Sequence, residues 1–161
     1  MSRIYYLGFA DEEFQRDTVP KMRIMEVANL QDGWCKREDC KFNYTHEKEK
    51  ADAILHIWSD ARIEKQFPSM SGFSVTHFVT PPRIYFNLDN IQHPPNTFTG
   101  TKEEYLNYVV QHELGHAIFE IMEHDGEDDR HPVTRMCSVM YQQTRGTKGC
   151  KSGHAYYSKN K

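Results

Sequence analysis

The chain has 161 residues and a formal net charge of −3, which is the length of one domain. Its composition, with 38% hydrophobic and 12% aromatic residues, excludes collagen-like and disordered chains. No apolar run is long enough to span a bilayer, and a mildly acidic chain without a basic stretch is a poor nucleic-acid binder. We therefore expect one domain over residues 1–161, monomeric, with no membrane and no nucleic-acid partner.

The first half of the chain predicts strands that alternate with helices. Short β-rich apolar runs predict the strands, and helical spacing of apolar residues predicts the helices. A helix is expected to start at Thr18–Pro20, because proline is favoured in a first turn. Residues 34–44 are expected to form a loop with a short strand. The predicted strands are 4–9, 51–58, 73–79 and 83–88, and the predicted helices are 18–30 and 61–67.

A long helix is the clearest element of the second half. Thr101 and Glu104 have the spacing of a capping box, in which each side chain binds the backbone amide of the other residue. Apolar residues then recur at helical spacing from Leu106 to Met122. Gly126 is the next helix stopper. The pattern predicts a helix over residues 101–122.

This helix contains the sequence His112-Glu113-Leu114-Gly115-His116, which is a His-Glu-x-x-His zinc motif. Four residues advance a helix by about 400°, so the two imidazoles lie one turn apart and about 40° apart around the axis. Both can therefore bind one metal ion. Glu113 is offset by about 100°, so it can contact a water on the metal without binding the ion itself. The motif predicts one catalytic Zn²⁺ ion.

The chain resembles the metzincins, a clan of zinc peptidases in which the helix motif is followed by a methionine turn. Cys137-Ser138-Val139-Met140-Tyr141 resembles that turn. The resemblance implies an α/β (α+β) zincin fold with a small twisted mixed sheet and two main helices. It also implies an N-terminal subdomain of about 1–118 and a short C-terminal subdomain of about 119–161. Met140 would lie under the metal, and strand 83–88 would be the sheet edge that binds substrate in extended form.

The third metal ligand is ambiguous, because the chain departs from the clan's longer motif. Phe119 stands at the glycine position of that motif and Met122 at the position of the third histidine. A helix that continues through Met122 would carry His124 about 12 Å from His116 along the axis, at about 1.5 Å per residue. We therefore expect His131, which follows Gly126, as the third ligand. His124 is the alternative, and Asp129 and Glu120 are further candidates.

The predicted function is hydrolysis of peptide bonds in a peptide or protein substrate. Zinc would activate a water molecule, and Glu113 would act as general base. The alternative is a zinc-binding but catalytically inactive scaffold or interaction module on the same fold. A third hypothesis is an interaction protein that uses the scaffold without metal.

The four cysteines leave the compartment and the pairing open. The first nine residues are too short a segment, and are followed too quickly by acidic residues, to be a signal peptide, so we expect an intracellular, cytoplasmic protein. Cysteines of cytosolic proteins are more often thiols than disulfides. Cys137 and Cys150 flank the methionine turn, and a bridge between them stays an open possibility.

Overall fold

The computed structural model describes residues 2–10 and 21–155. These residues form an α/β structure with one mixed sheet, as expected. The predicted helix start at Thr18–Pro20 lies outside the described residues. The strands are β1 (Arg3–Phe9), β2 (Cys40–Tyr44), β3 (Ala53–Trp58), β4 (Val75–His77) and β5 (Arg83–Asn87). The helices are α1 (Lys21–Ala28), α2 (Trp34–Glu38), α3 (Asp60–Gln66), α4 (Leu88–Gln92) and α5 (Lys102–Ala117).

The five strands lie in the order β2-β1-β3-β5-β4. The first four pair in parallel, and β4 pairs with β5 in the antiparallel direction. The edge of the sheet on this side is therefore β4. The expectation that strand 83–88 forms the edge is wrong, because β5 is enclosed between β3 and β4.

The side chains of the central strands alternate between two layers, as the pleat of a strand requires. Leu55 of β3 and Phe86 of β5 face the main core, into which α1 and α5 also pack. Trp58 and Tyr85 face the opposite side and form a smaller cluster with Ile63 of α3. The sheet thus carries α5 on one face and α3 on the other.

The predicted capping box is present at the start of α5. The Glu104 amide donates to Thr101 Oγ1 at 3.1 Å, and the Thr101 amide donates to Glu104 Oε1 at 2.9 Å. The predicted end of this helix is wrong, because α5 ends at Ala117 and not at Met122. In the described part of the chain after Ala117, only 3₁₀ turns and isolated bridges occur.

All four cysteines form disulfides. Cys35, which lies on α2, is bonded to Cys40 at the start of β2. Cys137 is bonded to Cys150, which encloses the segment around Met140 within one covalent loop. The bridge left open by the sequence is therefore present, and a second bridge joins the other two cysteines.

Among the described residues, none of the helices combines the length and apolar character that crossing a bilayer requires.

Candidate metal centre

The motif histidines lie on the last turns of α5, and this part of the helix is buried on every side. His112 is 4% exposed, Glu113 is 5% exposed and His116 is 7% exposed. The sheet covers one side of the helix, and the chain segment after Ala117 covers another. Polar side chains buried in this way need partners, because an unpaired buried polar group costs about 1–3 kcal/mol.

Each motif histidine donates one ring N–H to a backbone carbonyl of the segment that covers it. His112 Nδ1 lies 2.7 Å from the Val139 carbonyl oxygen. His116 Nδ1 lies 2.6 Å from the Ile121 carbonyl oxygen. A carbonyl oxygen only accepts, so both Nδ1 atoms must carry the proton. Bonds of this kind fix the ring orientation of metal-binding histidines and leave Nε2 unprotonated in the neutral ring.

The two Nε2 atoms are 3.2 Å apart. Burial is the largest of several effects that hold the pKa of His112 well below its usual value, and burial also lowers the pKa of His116. With both rings neutral and both Nδ1 atoms protonated, no hydrogen remains between the two Nε2 atoms. The contact is therefore a convergence of two lone pairs. Two nitrogens at about 2.0–2.1 Å from a tetrahedral zinc ion are about 3.3 Å apart, so this pair fits that ion.

His124 is the third histidine at this point. One ligand atom from each of His112, His116 and His124 can be chosen so that all three lie within 4.8 Å of one another. The His124 ring stacks on His112 at a centroid distance of 5.2 Å and meets His116 edge-on at 5.0 Å. The His124 residue is exposed, unlike the two motif histidines, and partial desolvation is the main cause that lowers its pKa, to which the nearby His116 adds. This lowering favours the neutral form that binds metal.

A chain reversal directly after α5 brings His124 to this position. Glu120 has a φ of 56°, which is in the left-handed region, and the Ile121 amide donates to the Gly115 carbonyl at 3.0 Å. The next residue after His124 is held as well, because Asp125 Oδ2 accepts from Ser138 Oγ at 2.6 Å and the Asp125 amide donates to the Met140 carbonyl at 3.0 Å. The segment around Met140 therefore positions both His112 and His124.

The preference for His131 as third member of the site does not fit this structure and is corrected to His124. His131 Nδ1 accepts from the amides of Val133 and Thr134, both at 3.1 Å, within a separate turn. Asp129 Oδ2 accepts from the Gly126 amide at 2.8 Å and so caps another turn. Glu120 is exposed at the chain reversal. None of these three side chains belongs to the histidine cluster found among the described residues.

Glu113 lies between the two motif histidines in sequence, and its carboxylate has one direct hydrogen-bond partner among the described residues. Thr76 Oγ1 donates to Glu113 Oε1 at 2.7 Å. Burial raises the pKa of Glu113 to about 7, although the Thr76 hydroxyl opposes that shift. A carboxyl group with a pKa near neutrality can both accept and return a proton at physiological pH.

Thr76 was not identified as a site residue from the sequence. It lies in the middle of edge strand β4, and its neighbours Val75 and His77 face the other side of the sheet, where they contact the small aromatic cluster. Strand alternation therefore turns Thr76 toward α5. The sequence predicts a strand at residues 73–79, whose side chains alternate between two faces. It does not show which of these faces meets the helix, so Thr76 could not be assigned to the site.

A cleft of about 230 Å³ opens over the three histidines and Glu113. Phe73, Thr76 and Phe78 line one side, and they belong to β4 or its flanking residues. Met122 and Gln142 line the side formed by the C-terminal segment. Phe78 is 49% exposed and Met122 is 60% exposed, so the mouth of the cleft presents apolar side chains to solvent.

Gly115 is required by close packing beneath the centre. A Cβ at this position would overlap the Met140 sulfur and lie 2.9 Å from Cζ2 of Trp34. We expect Gly115→Ala to lower the free energy of unfolding by about 1–2 kcal/mol, because overpacking costs about 1–3 kcal/mol and the better helix propensity of alanine offsets part of this. Urea unfolding measures the change.

The matched control for Gly115→Ala is Gly126→Ala. A Cβ at Gly126 meets only Asp129 Oδ2, at the ordinary distance of 3.8 Å. This variant should change the free energy of unfolding by less than about 0.5 kcal/mol. Equal stabilities for Gly115→Ala and Gly126→Ala would show that the packing of Met140 against the helix is not tight.

Comparisons with protein-family models, with curated proteins and with solved structures found no match to this chain.

Proposed function

We propose that the protein is a zinc-dependent peptidase whose metal ligands are His112, His116 and His124. The observation that carries the proposal is the convergence of two unprotonated Nε2 atoms at 3.2 Å, with the His124 ring against both imidazoles. A metal ion is the partner that suits facing lone pairs. Imidazole ligands suit zinc, and three protein ligands leave the open position that catalytic zinc sites require.

Zinc bound there would supply Lewis-acid chemistry, because it lowers the pKa of a bound water and polarises a carbonyl group. The chain's own residues do the rest. Glu113 accepts the proton of the attacking water and then delivers it to the leaving amine. The Val139 and Ile121 carbonyls hold the two imidazoles in the orientation that ligation needs.

The edge strand supports a peptide as the substrate. An edge strand offers unpaired backbone groups to which an extended chain can add. The strand β4 borders the cleft directly above Glu113, since Thr76 contacts that carboxylate at 2.7 Å. A peptide paired with β4 would therefore pass over the general base and the three histidines.

The proposed activity is tested with a pool of proteome-derived peptides analysed by mass spectrometry. Zinc-loaded protein should produce new peptide termini, a zinc chelator should stop their appearance, and added zinc should restore it. Stoichiometric zinc binding without new termini would overturn the peptidase and leave the alternative of a catalytically inactive zinc-binding module. Absence of zinc binding would overturn both.

The Thr76 hydroxyl is expected to position the Glu113 carboxylate. Thr76→Val keeps the shape of the side chain and removes the only donor to Glu113 Oε1 within residues 2–10 and 21–155. Hydrogen bonds to charged groups contribute about 1.5–3 kcal/mol, so kcat should fall by about 10- to 100-fold. Zinc affinity should be unchanged, because Thr76 is not in the histidine cluster.

The matched variant is Thr76→Ser, which restores the hydroxyl and should recover most of the kcat. Peptide-cleavage kinetics and a zinc titration on the three proteins separate the two effects. Wild-type kcat in Thr76→Val would show that Glu113 does not depend on this hydrogen bond. Equal losses in the valine and serine variants would assign Thr76 a packing role instead.

We also propose that the protein functions in an oxidising compartment. Disulfides form and persist in such compartments and are rare in the cytosol. The structure contains the Cys35–Cys40 and Cys137–Cys150 bridges. The intracellular localisation expected from the sequence stays a prediction, and mass spectrometry of the alkylated native protein distinguishes bridged cysteines from thiols.

A further inference from the structure

Arg145 holds a positive charge at the rim of the cleft. The side chain is exposed, and its guanidinium lies over the Phe73 ring at 5.1 Å from the centroid. Phe73 lines the cleft, and so does Thr144, the residue before Arg145. A cation–π contact of this kind restricts a long side chain that would otherwise extend into solvent. The guanidinium is therefore kept beside the cleft wall.

This charge lacks a counter-ion within the described part of the chain. No carboxylate there forms an ion pair with Arg145. The charge lies on the side of the metal centre, because Phe73, over whose ring the guanidinium is placed, lines the cleft that opens over the three histidines. A guanidinium near a site for a dication is repelled when the ion binds, and an anionic group between the two relieves that repulsion.

The edge strand gives the direction of the cleft relative to Arg145. Phe73 precedes β4, Thr76 lies in its middle and Phe78 follows it. The ends of this segment differ in character, because Phe73 lies beneath the Arg145 guanidinium and Phe78 is exposed next to His116 at a ring distance of 6.3 Å. A peptide along β4 whose reacting bond is over Glu113 would extend toward Arg145 on one side and toward Phe78 on the other.

We propose that Arg145 is a specificity residue that binds a carboxylate of the peptide substrate, and this inference rests on the proposed peptidase function. The planar guanidinium can hold both carboxylate oxygens through parallel hydrogen bonds. Two sources supply that group, namely a free C-terminus close to the reacting bond or an Asp or Glu side chain. The substrate class is thus peptides with a negative charge on the Arg145 side of the reacting bond.

The test measures binding of three random hexapeptide pools, whose variable positions hold neutral residues and whose N-terminus carries an uncharged dye. The first pool is amidated and uncharged, the second has a free C-terminal carboxylate, and the third is amidated and carries one Glu. Fluorescence anisotropy is recorded with zinc-loaded Glu113→Gln protein, which is not expected to cleave the pools. We expect the second or third pool to bind about tenfold more tightly than the first, the advantage of one charge-assisted contact.

Adding Arg145→Gln to the same protein should abolish this advantage, and Arg145→Lys should retain only part of it. Lys148→Gln is the matched control, because it removes an exposed positive charge from the same loop and should keep the preference. Preference for the second pool identifies a free C-terminus as the ligand, and preference for the third identifies an acidic side chain. Equal binding of all three pools overturns the proposal, as does a preference that survives Arg145→Gln.

Cleavage of the same pools by the zinc-loaded wild type keeps the two proposals apart. A charge preference that depends on Arg145, without any cleavage, supports the carboxylate site and contradicts the peptidase. Cleavage without a charge preference supports the peptidase and contradicts the role of Arg145.

Discussion

Glu113→Gln is expected to remove peptide hydrolysis while zinc stays bound. The substitution keeps the size of the side chain and removes the group that accepts the proton of the attacking water. General acid–base catalysis contributes about 10²–10⁴-fold, so kcat/KM should fall by at least about 10²-fold. The Nδ1 bonds of His112 and His116 to the Val139 and Ile121 carbonyls do not involve Glu113, so the metal site should remain intact.

Peptide-cleavage kinetics and a zinc titration on wild type and Glu113→Gln measure the two quantities. A Glu113→Gln protein that cleaves peptides at the wild-type rate would contradict the proposed mechanism. Loss of zinc together with activity would instead show that Glu113 contributes to the metal site.

His124→Ala is expected to remove zinc binding, and His131→Ala is expected to leave it unchanged. Loss of a partner outside the ligand shell already costs about 10–100-fold in metal affinity, so the loss of one of three ligands should cost more than 100-fold. His131 Nδ1 instead accepts hydrogen bonds from two backbone amides within its own turn. Its substitution should therefore affect the local loop and not the zinc affinity.

Competition with a chromophoric chelator gives both zinc affinities, and circular dichroism checks that the two variants fold. Zinc affinity lost in His131→Ala and retained in His124→Ala would contradict the ligand set proposed from the structure. Wild-type affinity in both variants would leave the site with the two motif histidines and a different third ligand.

The start of α5 could be predicted from the sequence because its signal is local. Thr101 and Glu104 bond to each other's backbone amides, and no other part of the chain is needed to recognise that pattern. The His112–His116 pair is local for the same reason. Both imidazoles lie on one helix face at a spacing of four residues.

The end of α5 could not be predicted because it depends on tertiary contacts. Glu120 occupies the left-handed region, which glycine adopts more readily, so the residue type gave no sign of a turn. Two hydrogen bonds hold the reversal. The Ile121 amide donates to the carbonyl of the buried Gly115, and Ser138, which is distant in sequence, donates to the Asp125 carboxylate. The error in the helix end caused the preference for His131 over His124.

The prediction that strand 83–88 forms the sheet edge was wrong for a similar reason. Both residues 73–79 and 83–88 had strand-like sequences, and nothing in either sequence specifies the order of strands in a sheet. The antiparallel pairing of β4 with β5, with Thr76 opposite Ile84, is what places Thr76 beside Glu113. Interactions between elements therefore supplied the part of the site that the motif did not contain.

X-ray absorption at the zinc edge of the zinc-loaded protein reports the ligands of the bound ion, and so tests whether three histidines hold a catalytic zinc. We expect three imidazole nitrogens at about 2.0–2.1 Å and one further nitrogen or oxygen ligand from solvent, since a catalytic zinc site keeps an open position. The two disulfides leave no thiol, so no sulfur ligand is expected. The proposed catalytic centre would be contradicted by four protein ligands on the zinc ion or by a sulfur ligand. It would also be contradicted if the protein retained no zinc.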